Sequence, residues 1–427
     1  MRLGLGLLIA SLVALAGCSE SKNQCAGSFA FPSGSSIETF TADPPVTLDG
    51  NAKLTGDGEV KGSPQAYGSS SSPSGGSSGS GCDAVESADR SAEAPAMGSA
   101  PSGGASSSGS GSAMGGTGGE GGGGGGNGTI QPGVLTAGVW DDNKNFDRFL
   151  SYRSGVLAQK LPGLLSIDEG EHRAAHDALA ALAGPKQKLD VSLVIDTTGS
   201  MGDEISYLQK EFDALASTIQ AKFPGSEQRW SLVVYKDTTD EYVVRWFDFR
   251  ADTKEFREKL AAQSASGGGD FPEASDQALN AATRLSWRAD PSVAKLMFWV
   301  ADAPHHDSVE KRMTAALRSA RDQQIHVYPV ASSGVDELTE LSMRSAAQLT
   351  GGRYVFLTDD SGVGGTHKEA SVPCFYVTKL DKAILRVVDI EMTGNYREPE
   401  AADVLRKGGD PKSGVCTLES GQQVTIY

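Results

Sequence analysis

A chain of 427 residues with 38 Lys and Arg against 54 Asp and Glu carries a formal net charge of −16, which weighs against nucleic acid and anionic lipid headgroups as partners and favours solubility or a cationic partner. Its 53 glycines divide it: the stretch 62–128 is mostly Gly and Ser with almost nothing to bury, while the roughly 300 residues after it are ample for one large domain. None of its five cysteines pair at the C-x-x-C spacing of a zinc site.

The first residues address the chain. Arg2 precedes an apolar stretch from Leu3 to Ala16, and Leu15-Ala16-Gly17-Cys18 has the large-small-small-Cys form of a bacterial lipoprotein cleavage site. About 14 apolar residues fall short of the roughly 20 that a spanning helix needs, so residues 1–17 read as a signal peptide and Cys18 as the lipidated N-terminus. Ser19 stands where an inner-membrane retention signal has Asp, which points to the outer membrane of a cell envelope. With Cys18 spent, Cys25, Cys82, Cys374 and Cys416 remain for disulfides. Pairing Cys25 with Cys82 and Cys374 with Cys416 keeps each bond within one region, although other connectivities are open. Residues 18–61 hold too few apolar side chains for a core and read as a small or disordered spacer. Residues 62–128 read as a disordered tether whose roughly 67 residues span ~45 Å as a Gly-rich coil.

Residues 129–187 form a pre-domain segment. Within it, 135–142 with Phe146 and Phe149 is aromatic and apolar enough to dock on the domain as a strand or loop and a short helix, with Trp140 as a packing anchor. His172 and His176 have helical i, i+4 spacing, but Arg173 stands where a zinc protease needs its glutamate base, so this segment reads as an exposed helix face. From Leu189 onward short apolar runs alternate with longer amphipathic ones, the pattern of an α/β, doubly wound, mostly parallel sheet covered by helices. It predicts strands near 189–195, 229–237, 241–249, 294–301, 326–331 and 353–357, and helices near 201–222, 252–264, 273–287, 308–323, 336–350 and 377–392. The short polar turn 236–240 makes the second and third strands a hairpin, giving one antiparallel edge strand.

Ligands of such sheets bind outside the carboxyl ends of the strands. There Asp196, Thr198 and Ser200 set one carboxylate and two hydroxyls on a single turn after the apolar run 189–195, a hard oxygen cradle for a divalent cation. Asp270, in Gly267-Gly268-Gly269-Asp270-Phe271-Pro272-Glu273, and Asp302, at the end of another apolar run, belong to loops on the same edge. Capping is the plainer explanation for part of this set: Ser200 with Asp203 has the form of a helix N-cap, and Asp270 with Glu273 has capping-box spacing. Capping leaves Asp196, Thr198 and Asp302 unexplained. Hard donors make Mg²⁺ the first choice of metal, with Mn²⁺ and Ca²⁺ behind it. His305 and His306 follow Asp302 and read as rim or solvated loop residues, because a ligating histidine demands a softer metal. Asp237 and Asp240 make a polar turn that could also hold an auxiliary cation or steer a partner.

Asp196-x-Thr198-x-Ser200 within 193–201, the Gly-rich acid loop and the strand-end Asp302 together resemble a von Willebrand factor type A domain over about residues 188–393, leaving 394–427 as a C-terminal tail. The resemblance implies a Rossmann-like fold and a metal-ion-dependent adhesion site. In that family the Asp-x-Ser/Thr-x-Ser turn, a threonine from a second loop and an aspartate from a third hold the ion, and a protein ligand commonly completes its coordination with a carboxylate. Asp196, Thr198, Ser200 and Asp302 match. Asp270 stands where the commoner pattern has threonine, although the loop with the following Ala-Asp-Ala-Pro looks like a recognised subgroup of bacterial domains. A third carboxylate in direct contact would leave a local charge near −1, holding the metal more tightly while attracting an acidic ligand less. The segment from Leu135 to Asp142 is similar to one that precedes this domain type in other bacterial exported proteins.

Three functions follow as expectations. The first is a non-catalytic, metal-dependent binding or adhesion module, lipid-anchored on the envelope and engaging a protein or surface polymer. The second is a structural subunit of an envelope assembly whose metal stiffens the fold. A metal-assisted hydrolase is third, since the residues after the Gly/Ser stretch contain no Gly-x-Ser-x-Gly elbow and no phosphate-binding Gly-x4-Gly-Lys-Ser/Thr.

Overall fold

The computed structural model describes residues 52–62, 135–179, 184–269, 271–362 and 366–426. Cys18, Cys25, Cys82, Asp270, the signal peptide and the Gly/Ser stretch beyond Gly62 lie outside the described residues.

In chain order the elements are β1 Gly58–Lys61, β2 Thr136–Trp140, α1 Phe146–Ala158, α2 Glu169–Leu179, β3 Lys188–Asp196, α3 Gly202–Lys222, β4 Glu227–Tyr235 and β5 Tyr242–Arg250. They continue with α4 Thr253–Ala261, α5 Ser275–Thr283, β6 Val293–Ala301, α6 Glu310–Asp322, β7 His326–Ala331, α7 Glu337–Thr350, β8 Tyr354–Thr358 and β9 Phe375–Lys379. The chain closes with α8 Leu380–Thr393, β10 Arg406–Gly408, β11 Val415–Thr417 and β12 Gln423–Thr425. Ten strands form one sheet in the order β1-β5-β4-β3-β6-β7-β8-β2-β9-β10, and β11 pairs with β12 separately. The central run β4-β3-β6-β7-β8 is parallel.

β6 is buried along its whole length and β3 at every position after Lys188, as strands covered on both faces must be. Alternation divides their side chains: Val194 joins the core beneath α5, α6 and α7, whereas Leu193 and Ile195 join the core beneath α3, α4 and α8. The expected strands and helices from 189 to 357 are all present, with ends shifted by a few residues. The helix expected from 377 begins at Leu380, because Val377 and Thr378 belong to β9.

The sheet carries more antiparallel strands than the one expected. β5 pairs antiparallel with β4 as the hairpin requires, β1 adds antiparallel to β5, and β2 runs antiparallel between β8 and β9. The apolar pre-domain run therefore docks as a strand, paired on both sides within the sheet and followed by the helix α1. Asp142 and Asp141, just past β2, are held by arginines: Arg344 Nη2 lies 2.7 Å from Asp142 Oδ1 and Arg353 Nε 3.1 Å from Asp141 Oδ2. Buried pairs of this kind add little net stability against an apolar substitute, but losing one partner strands the other charge.

Residues before the Gly/Ser stretch also belong to this unit. Leu54 is buried in the core, and β1 pairs with β5 from Gly58 opposite Trp246 to Val60 opposite Val244, with a register shift before Lys61 opposite Tyr242. The Gly/Ser stretch thus joins two strands of one sheet, β1 and β2. At the other end of the chain, Cys374 and Cys416 form a disulfide that closes a 42-residue separation and ties β11 to the start of β9.

The His172 face of α2 is not exposed. His172 is 1% exposed, meets the edge of the Phe149 ring at 4.9 Å and bonds to the Gln348 side chain through Nδ1. Burial pushes its pKa down to about 4. The folded state therefore keeps it neutral while the unfolded chain takes up a proton below its ordinary pKa of about 6.5, so stability from this group is present above that pH and is lost as pH falls to about 4. Thermal unfolding across this window should show a decline on the order of 3 kcal/mol from His172, and the slope should shrink by that contribution in His172→Gln whatever its stability at pH 7. An unchanged slope in the variant would remove His172 as the cause.

Candidate metal centre

The parallel register builds the centre. Ile195 of β3 pairs with Val300 of β6 and Asp196 with Tyr235 of β4, so Asp196 and Asp302 leave adjacent strands at the same carboxyl edge. Asp196 Oδ1 accepts the Thr198 backbone N–H at 2.9 Å and its hydroxyl at 2.7 Å, folding the chain into a tight turn. The other oxygen, Oδ2, is buried without a hydrogen-bond partner, and so is Asp302 Oδ1. Ser200 is exposed and bonds to the Asp302 carboxylate. Thr197 faces elsewhere, its hydroxyl bonded to the Tyr235 carbonyl and the Tyr242 hydroxyl, each at 2.7 Å.

The N-cap reading of Ser200 does not hold, since α3 is preceded by Met201 and has no side-chain cap. Nor does Glu273 cap α5, which starts at Ser275 after Ala274. Two backbone bonds instead fasten the glycine loop to the β3 turn: Gly199 N–H donates to the Gly267 carbonyl at 3.1 Å and Ser266 N–H to the Thr197 carbonyl at 3.0 Å. Gly267, Gly268 and Gly269 all have positive φ, of 77°, 70° and 138°, which explains why three glycines stand together. A Cβ on Gly268 would lie 3.0 Å from Thr198 Cβ and 3.3 Å from Glu273 Oε1, so this backbone is wedged between the β3 turn and Glu273. Glu273 is buried, its N–H donates to the Pro304 carbonyl at 2.9 Å, and its Oε2 has no hydrogen-bond partner.

Glu273 is the acid that the sequence hid, because a helix start placed at 273 makes it a cap. Placing the start at Ser275 would have left it a free carboxylate in the acid loop. Its neighbour Asp270, the acid expected from this loop, is outside the described residues.

The electrostatics are those of buried acids that the nearby Lys236 offsets only in part. Burial, reinforced by Asp302, pushes Asp196 up to about 7. Burial followed by repulsion from Asp196, Asp237, Asp240 and Asp302 pushes Glu273 up to about 9. Asp302 is raised by burial and opposed by its bond to Ser200. Lys236 is close by, yet its ammonium donates to the Thr197 carbonyl at 2.7 Å, to Ser266 Oγ at 3.1 Å and to the Ser266 carbonyl, so it braces loop backbone instead of pairing with the acids.

Asp237 and His306 form a contact across the edge, Nε2 to Oδ1 at 2.5 Å, and Asp237 is itself buried. His305 is buried rather than on a rim, bonding through Nε2 to the Gly163 carbonyl at 2.8 Å. His305 is thus engaged with backbone and His306 with Asp237.

Among the described residues no group of three or more His, Cys, Asp or Glu side chains could hold an ion by themselves. The donors that remain are hard and mixed: buried, unpartnered oxygens of Asp196, Glu273 and Asp302 beside the hydroxyls of Thr198 and Ser200. That set fits a small divalent cation that keeps part of its water, as Mg²⁺ does.

The mostly parallel, helix-covered sheet places Asp196 and Asp302 at its carboxyl edge. Residues 190–364 match the family model of the von Willebrand factor A domain, a span that holds every donor just named. Over 121 residues the chain is 29% identical to an ariadne-like RING finger protein of Acanthamoeba polyphaga mimivirus, covering 28% of this chain and 12% of that protein. Among solved structures, the conserved hypothetical protein BatB from Bacteroides thetaiotaomicron aligns at 17% identity and a TM-score of 0.33, covering 48% of this chain and 98% of that one. The pilus adhesin SpaC from Lactobacillus rhamnosus GG aligns at 14% identity and a TM-score of 0.32, covering 42% of this chain and 30% of that one.

The crowding of acids makes a direct prediction for Glu273→Gln. Removing one of the mutually repelling buried carboxylates should raise the melting temperature of the metal-stripped protein by a few degrees, about 1 kcal/mol, while the stabilisation gained on adding Mg²⁺ shrinks. Melting curves in chelator and in excess Mg²⁺ test both arms. A variant less stable without metal and equally responsive to it would show that Glu273 is a packing residue.

Proposed function

We propose that this chain is a non-catalytic binding or adhesion module that engages a partner in a divalent-metal-dependent way. The observation that carries the reading is the trio of buried, unpartnered carboxylate oxygens on Asp196, Glu273 and Asp302, which is costly in a protein interior unless a cation compensates it. The match to the von Willebrand factor A domain supports an interaction role for residues 190–364.

In this reading Asp196, Asp302 and Glu273 hold Mg²⁺, or Mn²⁺ or Ca²⁺ in its place, with Thr198 and Ser200 supplying neutral hydroxyl donors. Asp196 Oδ1 is engaged by Thr198, which leaves Oδ2 aimed for the ion. Ser200 sits at the exposed side of the centre, where a partner protein or surface polymer would arrive. A bound cation would supply an electrophilic position that an oxygen of the partner, such as a carboxylate, completes. The lipoprotein form of Leu15-Ala16-Gly17-Cys18 supports anchoring through Cys18 on the cell envelope, at the outer membrane, and the charge of −16 leaves nucleic acid aside.

A structural subunit is the second reading, and Glu273 favours it: a third carboxylate from the chain itself fills a place that a partner would otherwise take. Water-proton relaxation with Mn²⁺ in the centre separates the two, since an open position exchanges water and a closed one does not.

Calorimetric titration of Mg²⁺, Mn²⁺ and Ca²⁺ into the metal-stripped full chain, wild type beside Asp196→Ala, tests the proposal. One-site binding should disappear in the variant while its circular dichroism stays that of the wild type, because apolar strands supply most of the stability. Absence of binding in the wild type would sink the metal-dependent reading.

A further inference from the structure

We propose that residues 52–62 are a positioning strap for the metal centre, acting on it through Asp240; the inference rests on the metal-binding reading above. The strap is seated at its start by Leu54, whose side chain is buried and whose N–H donates to the Arg284 carbonyl at 2.8 Å while Arg284 Nε donates to the Ala52 carbonyl at 2.6 Å. Asp57 pairs with Arg250 at 2.9 Å and Lys259 at 3.0 Å, and Glu59 with Arg245 at 2.7 Å. At its end the strap meets the 237–241 turn. Gly62 N–H donates to the Glu241 carbonyl at 3.4 Å, and a Cβ on Gly62 would lie 1.9 Å from the Asp240 carbonyl oxygen, so only glycine fits with Asp240 where it is.

Asp240 passes the contact on. Its two carboxylate oxygens accept the Gly268 N–H at 3.2 and 3.1 Å, and a Cβ on Gly267 would lie 2.3 Å from Oδ1. Gly268 is the backbone wedged between Thr198 and Glu273. A continuous series of contacts therefore runs from the strap, through the hairpin turn and the glycine loop, to two of the residues assigned to the metal. A left-handed loop of three glycines has little rigidity of its own; the Gly199 and Ser266 backbone bonds fasten its start, and the Asp240 acceptor fixes its central N–H. Asp240 is a positioning residue in this account; it touches no ion.

The experiment uses the full chain as wild type, Leu54→Asp to unseat the strap, Gly62→Val to displace Asp240 while keeping the Leu54 anchor, Asp240→Ala, and the Leu54→Asp/Asp240→Ala double variant. Amide hydrogen exchange of Gly268 is read in the metal-stripped protein, and Mg²⁺ affinity by calorimetry. Leu54→Asp and Gly62→Val should each speed exchange at Gly268 and weaken Mg²⁺ binding by roughly tenfold, the scale of one charge-assisted hydrogen bond. The double variant should bind Mg²⁺ no more weakly than Asp240→Ala alone, because both changes break one series of contacts. Gly268 exchange and Mg²⁺ affinity within about twofold of wild type in Gly62→Val would overturn the proposal, and additive losses in the double variant would overturn the route through Asp240. Should Leu54→Asp fail to fold, Gly62→Val decides alone. Should the wild type bind no Mg²⁺, the metal reading falls, while Gly268 exchange still decides whether the strap positions the loop.

Discussion

The in-register parallel pairing of β3 with β6 is the constraint from which the rest follows. It puts Asp196 and Asp302 at the ends of neighbouring strands, both out of water, with apolar strand on one side of them and loop backbone on the other. Nothing in the sheet can compensate two such carboxylates, and Glu273 adds a third. The loops answer by other means: Thr198 satisfies one oxygen of Asp196, Ser200 bonds to Asp302, and Lys236 pins the backbone that carries the turn. What remains over is a set of unpaired oxygens, the feature that a structural interpretation by capping does not account for.

The strands were legible because each is a short apolar run, and Asp196 and Asp302 because each is a polar residue at the end of one. Registers were not legible, yet the rule that ligands gather at the carboxyl edge substituted for them. Glu273 escaped because a helix can be started at Ser275 or two residues earlier with equal ease on pattern alone, and only the backbone shows that Ala274 precedes the first turn. β1 escaped for a different reason: Gly-Glu-Val-Lys has one apolar side chain, and what holds it is the edge of β5, far away in sequence. His172 reads as solvent-facing beside Glu171 and Arg173, but α2 packs on α7 and turns that position inward against Phe149 and Gln348.

Segments that sequence treats as appendages are integral to the sheet. β2 is paired on both sides, and its following aspartates are neutralised by Arg344 and Arg353, so the pre-domain segment cannot leave without exposing two buried guanidinium groups. The tail is tied to it as well: Asn145 exchanges two hydrogen bonds with the Thr425 backbone, at 2.7 and 2.9 Å, and the Cys374–Cys416 disulfide holds the tail near β9. Before β2, the strap covers the edge of β5, which would otherwise present unpaired backbone to other chains.

The charge of the centre bears on what could complete it. Two carboxylates would neutralise a divalent cation, and an arriving acidic group would then meet a neutral site; with Glu273 ionised as well, the site carries about one negative charge before any partner arrives. Asp237 and Asp240 stand close enough to raise the Glu273 pKa, so the surroundings add to that charge. The ion would be held firmly and an acidic ligand drawn only weakly. A partner oxygen that carries no charge, or a carboxylate whose neighbours are basic, suits such a centre better than an isolated acid does. The overall charge of −16 would act in the same direction in the proposed role, since a basic surface would be drawn to this chain before any contact with the ion.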